Sequence, residues 1–278
     1  MIDLDQMDEQ LASALIEPPR PPRRTADAPP HVPPAPPADG DLCEMLELGL
    51  LDQVDARIDS TPDRGDRVTW ATMRALLDGR EDAARSGLAE LLALARATDD
   101  APLSSRYWSQ RFWCAYEWGS DAERYDVLDH CRERAYRFDD LGWWGNLTLL
   151  LATLGKADEA SRAFDATWQL LAGAPKDRVW LDVVTNLIEG AAVLGDVART
   201  ALVHSTLVWP EGRLVVVGPA LVCKGSIDRY RGLGFAAAGM RAEAGHCFSA
   251  AAAAHRAQGA RPLLARTLHQ AESVQAAA

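Results

Sequence analysis

The stretch YWSQRFWCAYEW places six aromatic side chains within twelve residues: Tyr107, Trp108, Phe112, Trp113, Tyr116 and Trp118. On a helix, positions 108, 112 and 116 fall on one side, and 113 lies near 116 and 117. Six aromatics exceed what a single buried stripe holds. They fit a large-residue core, or an aromatic-lined groove that grips a peptide or a flat ligand. Arg106 and Arg111 flank the cluster and suit an acidic group. Trp143 and Trp144 follow.

Other stretches carry reactive residue types. GSIDRYRG contains Ser226, Asp228, Arg229 and Tyr230. No histidine sits at a spacing that would make a nucleophile–base pair, so this reads as the start of a long helix with Tyr230 packed. Lys224, Arg229 and Arg231 concentrate positive charge in an acidic chain, which would suit a carboxylate or phosphate. His130–Cys131 and His246–Cys247 are adjacent pairs. Neighbours on a helix point about 100° apart, so neither pair chelates readily. No metal, cofactor or catalytic residue is assigned.

These residues sit on a repeated element. In LTLLLATLGKADEASRAF, Leu147, Leu150, Leu151 and Leu154 mark one helical face, and Gly155 can end that helix in a left-handed conformation. Asp158 and Glu159 then favour the positive end of a second helix. The same context recurs at Gly79, Gly119, Gly195 and Gly239. Neighbouring anchors stand roughly 40 residues apart, a period that signals stacked helical hairpins. The fold expected is all-α: a tetratricopeptide-like superhelix of about five antiparallel helix pairs after residue 63. An irregular helix near 41–58 caps its start, and a closing helix ends it. GRLVVVGP is β-branched, but with no partner run in view it reads as an extended connector.

VWLDVVTNLIEGAAVLGDVARTALVH and the run from GRLVVVGPALVCKGSIDRYRGLGFAAAG to GARPLLARTL resemble the C-terminal tetratricopeptide-like repeats of bacterial signalling proteins. These are LuxR-type regulators with a STAND ATPase module and class III nucleotide cyclases, of actinobacteria especially. The resemblance covers residue 63 onward and implies a non-catalytic binding scaffold. The Walker A phosphate loop, GxxxxGK[ST], is missing, as is cyclase catalytic sequence. No DNA-binding domain is expected after the repeats.

Composition narrows the partners. A net charge of −11 and a pI near 5.0 argue against nucleic acid. No apolar run reaches the roughly 20 residues of a membrane span. The N-terminus lacks a basic leader, so a cytoplasmic location is expected. Five cysteines without a CxxC pattern fit reduced, buried thiols. Residues 1–17 set Ile2, Leu4, Met7, Leu11 and Leu15 at helical spacing among acids, as a short amphipathic helix or a loose tail. Residues 18–40 hold ten of the sixteen prolines and read as a linker. Residues 41–278 form the helical-repeat domain.

The chain is therefore read as a non-enzymatic adaptor or regulator binding a protein or peptide along a concave groove. The expected lining is Tyr107, Trp108, Arg111, Asn146, Asn186 and Arg229. Asparagines on successive first helices can clamp an extended backbone. Two alternatives accompany this reading: a small-molecule sensor with an aromatic pocket, and an enzyme built on the scaffold.

Overall fold

The structure, a computed structural model, describes residues 41–276. The expectations for residues 1–17 and 18–40 lie outside the described residues. The described chain is mostly helical, with thirteen helices and one two-stranded sheet. The helices are α1 Leu42–Glu47, α2 Leu51–Ser60, α3 Arg64–Asp78, α4 Glu81–Thr98, α5 Ala101–Trp118, α6 Asp121–Phe138, α7 Leu141–Thr153, α8 Ala157–Ala172, α9 Arg178–Val193 and α10 Val197–Ser205. Two strands follow, β1 Leu214–Val217 and β2 Val222–Ser226, then α11 Ile227–Ala237, α12 Arg241–Ala257 and α13 Arg261–Ala276. Among the described residues no helix is long and apolar enough to cross a membrane.

Short polar side chains set where most helices begin. Asp63, Asp100, Ser120, Asp140, Asp177 and Asp196 each accept a hydrogen bond from a backbone N–H in the first turn of the helix that follows. Such a cap contributes about 1 kcal/mol by satisfying a donor the helix cannot. At the other ends, Gly79, Gly155, Gly195 and Gly239 take positive φ, as the repeat pattern predicts. Gly119 does not: its φ is −65°. There the chain passes directly into a capping box between Ser120 and Glu123, which starts α6 without a left-handed residue.

Neighbouring helices pack in sequence order, and alternate ones also meet. Gly145 of α7 faces Val183 and Asn186 of α9, and Gly190 faces Leu149, so α7 and α9 lie side by side in parallel. The missing Cβ atoms let the two backbones approach: one added at Gly145 would stand 3.3 Å from the Val183 Cα. The same parallel order holds for α3 and α5, where Gly65 faces Leu103 and the Thr69 carbonyl accepts from Gln110. The last helix returns to the first hairpin. Pro262 packs at Gly79, and the Arg261 side chain donates to the Asp78 carbonyl.

The run expected to be a lone connector is a strand. β1 pairs antiparallel with β2, with Leu214 opposite Ser226, Val216 opposite Cys223 and Val217 opposite Val222. The partner run, Val222–Ser226, carries a lysine and a glycine, which hid its strand character. Gly218 and Ala220, both at positive φ, make the turn. This hairpin is the meeting point of the three apolar clusters. Leu221 and Val222 join the cluster of α3–α8, Val215 joins that of α8–α12, and Leu214, Val216, Ala220 and Cys223 join that of α1–α3 and α13. The expected helical cap before residue 60 is two helices, α1 and α2, and α1 lies on the hairpin: the Cys43 thiol donates to the Gly218 carbonyl. All five cysteines are buried, and none forms a disulfide.

Gly225 carries the junction of β2 with α11. Its φ is +82°, and a Cβ there would stand 2.4 Å from His255 Nε2 and 2.8 Å from a Leu263 methyl. Gly225→Ala should therefore lower unfolding free energy by more than about 2 kcal/mol, measured by urea denaturation, since strained φ and steric overlap add. Gly155 has open space around its missing Cβ, so Gly155→Ala should cost only about 1 kcal/mol.

Candidate functional site

Two regions gather the polar and aromatic residues: a buried core under the hairpin and a cleft at one edge. The core centres on Lys224. β2 sends this side chain inward, and its side chain is fully buried. Its ammonium donates to Asp182 Oδ1 at 2.9 Å, the Asp182 carbonyl at 3.0 Å, Thr185 Oγ1 at 2.6 Å and Asn186 Oδ1 at 2.7 Å. Asn186 Nδ2 in turn donates to Asn146 Oδ1 at 3.0 Å. The Trp113 and Tyr230 ring faces complete the cage, 5.1 and 5.5 Å from Nζ. Burial drives the Lys224 pKa below its ordinary value, while Asp182 pulls against that shift.

A second buried pair lies one helical turn and more along α9. Arg229 of α11 holds Glu189 through two parallel bonds of 2.8 Å. Tyr116 of α5 donates to the same carboxylate at 3.2 Å, and Arg266 of α13 approaches it at 3.7 Å while pairing with Glu117. Burial alone would raise the Glu189 pKa, but Arg229, then Arg266 and Lys224, bring it down to about 2. Burial raises the pKa of Tyr116 well above the usual phenol range, so its proton stays to donate. Three cations and three carboxylates thus balance inside the fold. A small cavity of about 20 Å³ lies between Lys224, Glu117, Arg266 and the neighbouring apolar side chains.

The edge cleft is open and larger, about 730 Å³. It runs between the end of α4, the start of α5, the second half of α6 and the start of α7. Trp108 stacks on His130 with ring centroids 4.0 Å apart and planes 6° from parallel, and His130 meets Trp143 edge-on at 4.9 Å. Arg96, Asp99, Asp100 and Arg134 line it as well. Asp100 caps α5, and Arg134 pairs with Asp140. Burial and the charge of Arg134 lower the His130 pKa, so the stacked ring is neutral at pH 7.

The six residues expected along one groove split into two groups of three. Trp108 lines the edge cleft, and Tyr107 packs against it from the core side, edge to face at 5.4 Å. Arg111 lies 5.9 Å from the Trp108 ring and pairs with Asp126 on α6. Asn146, Asn186 and Arg229 all belong to the buried core. Asn186 accepts from the Lys224 ammonium of β2, and Asn146 is joined to it only through Asn186. The basic patch expected around Lys224 and Arg229 is likewise internal, each cation already holding a carboxylate of α9. Two signals for this were present in the sequence. Asp182 in VWLDVV and Glu189 in NLIEGAA are single carboxylates inside apolar helical runs, and such a group needs a buried partner. Among the described residues, no cluster of three or more His, Cys, Asp and Glu side chains is arranged to hold a metal ion.

No protein-family model, curated protein or solved structure matches this chain.

The core also fixes a pH dependence. His255 is buried, accepts the Ser226 N–H at Nε2 and meets Thr267 Oγ1 at Nδ1. Burial, with Arg229 and Arg266, pushes its pKa down to about 3, and burial with Arg231 takes His204 to about 4. Both rings are therefore neutral in the fold at pH values where an unfolded histidine is already charged. Stability is full above about pH 6.5 and falls as the pH drops toward the folded values. Between pH 6.5 and 5 the loss should approach about 1.4 kcal/mol per pH unit for each histidine. Urea unfolding across that window should show a shallower slope for His204→Gln than for the unsubstituted chain.

Proposed function

We propose that this chain is a non-enzymatic helical-repeat protein, an adaptor or regulator, which binds a protein or peptide partner in the cleft beside Trp108. The observation that carries this reading is the contrast between the two regions. The central space is filled by the chain's own hairpin with its polar groups paired, whereas the edge cleft leaves an aromatic stack reachable from outside. A half-exposed tryptophan held rigid by a stacked ring suits an interface anchor, because little side-chain freedom remains to be lost on binding. The rim carries both charge signs, which favours a mixed polypeptide over a nucleic acid or a single anion.

The underlying scaffold is read as a tetratricopeptide-like array of five pairs: α3–α4, α5–α6, α7–α8, α9–α10 and α11–α12. Equivalent positions roughly 40 residues apart support it: the Thr69 carbonyl bonds Gln110, and Asn146 bonds Asn186. The regulator-like repeats that the sequence resembles fit the same role. A small-molecule sensor is the second reading, favoured by a cleft volume inside the usual ligand range.

Panning a displayed peptide library on the full chain tests the first reading. Enriched peptides should bind Trp108→Ala at least about 30-fold more weakly, the loss of a roughly 2 kcal/mol anchor. Urea unfolding should show that the variant still folds cooperatively, with a lower midpoint because its contacts with His130 and Tyr107 are lost. Peptides that bind both forms equally would remove the cleft from consideration. Quenching of tryptophan fluorescence by small metabolites, with no peptide enriched, would favour the sensor instead.

A further inference from the structure

The turns before α5 and α7 are built alike. Asp99 and Asp139 each end the preceding helix in the left-handed region, at φ 50° and 47°. Asp100 and Asp140 then cap the helices that follow, accepting at Oδ1 from the Leu103 and Trp143 N–H groups. The two turns stand forty residues apart, at equivalent places in successive hairpins. They differ in what the second cap oxygen meets. Asp140 Oδ2 accepts from the Arg134 guanidinium at 3.2 Å, and that guanidinium also lies over the Phe138 ring, 4.6 Å from its centroid. Forty residues before Arg134 the chain carries Leu94, and forty before Phe138 it carries Thr98. The first turn thus has the carboxylates without the arginine. Among the described residues, no cation pairs with Asp99 or Asp100.

Both of these carboxylates line the cleft that holds Trp108, His130 and Trp143. Asp100 also lines an adjoining hollow of about 410 Å³, together with Asp63, the cap of α3. Most cations on these walls are already committed: Arg134 to Asp140, Arg106 to Asp66 and Arg64 to Glu90. Among the described residues that leaves Asp63, Asp99 and Asp100 unpaired against one arginine, Arg96. Arg96 stands in the last turn of α4, where its charge serves the negative helix end. The surplus on these walls is therefore negative, and it sits beside an aromatic wall.

We propose that the polypeptide bound in the Trp108 cleft is a basic segment. One of its arginine or lysine side chains meets Asp100 as Arg134 meets Asp140, and a neighbouring apolar or aromatic side chain packs on Trp108 and Trp143. This rests on the reading of the cleft as a polypeptide site and names the chemistry of its occupant. The net charge of −11 adds a longer-range attraction that speeds encounter with such a segment.

The test uses the full chain and Asp99→Asn/Asp100→Asn. Asparagine tolerates the left-handed region and caps helices as well as aspartate does, so the charges go and the turn stays. Peptides enriched from a displayed library on the unsubstituted chain should carry arginine or lysine close to an apolar or aromatic residue. A synthetic copy of the tightest should bind the double variant about tenfold more weakly. The same peptide with its basic residue replaced by glutamine should lose a similar factor on the unsubstituted chain, a comparison that needs no protein variant to fold. Raising NaCl from about 50 mM to about 500 mM should weaken binding to the unsubstituted chain several-fold more than to the double variant. Enriched peptides that depend on Trp108 but lack a basic residue, or that bind the double variant equally well, overturn the basic occupant and leave the cleft reading standing. Basic peptides that bind Trp108→Ala as tightly as the unsubstituted chain are held by acidic surface elsewhere, and both readings then fall. Both fall as well if no peptide is enriched.

Discussion

The ammonium of Lys224 is the constraint around which the rest is arranged. A fully buried cation is tolerable only where acceptors fill its donor sites, and α9 supplies them from three residues within two helical turns. To meet those acceptors, β2 must lie across α9 in one register, which fixes β1 beside it. The hairpin then presents a different set of apolar side chains to each of the three clusters. Helices distant in sequence, from α1 to α13, are joined through it. The Arg229–Glu189 pair, on the next element along, locks α11 to α9 in the same way.

This arrangement fills the space beside α9 with the chain's own hairpin. Asn186 accepts from the Lys224 ammonium of β2, Asn146 accepts from Asn186, and Arg229 holds Glu189. What stays open is an edge between helix ends. There Trp108, His130 and Trp143 form a rigid aromatic wall, and the helix caps fix its rim. The residues of that edge are not those of the charge-paired core.

Much of the fold was legible because its signals are local. Apolar periodicity, acidic or serine caps and terminal glycines each act within a few residues, and they mark α3–α8 closely. The central hairpin was not legible for a reason equally physical. LVVV had a clear strand character, but its partner VCKGS carries a lysine whose suitability for burial depends on Asp182, forty-two residues away. Pairing across such a separation is invisible to local pattern. The same gap explains the split of the expected groove. Asn146 and Asn186 were expected on first helices of successive hairpins, and they lie on α7 and α9, where they bond each other. Whether their inner face was open or covered depended on the hairpin. Trp108 was recognisable from the crowding of aromatics, whereas its partner His130 stood out only as a possible metal ligand.

Urea unfolding of Lys224→Met tests the central claim most directly. Methionine keeps the apolar stem but strands the Asp182 carboxylate, Thr185 and Asn186 without their donor. The account predicts a loss of about 3–5 kcal/mol, the cost of breaking a buried ion pair from one side. Lys224→Met/Asp182→Leu should recover much of it, since no charge is then left unpaired. A single variant within about 1 kcal/mol of the unsubstituted chain would contradict the account, because the hairpin would then hold its place without its charge.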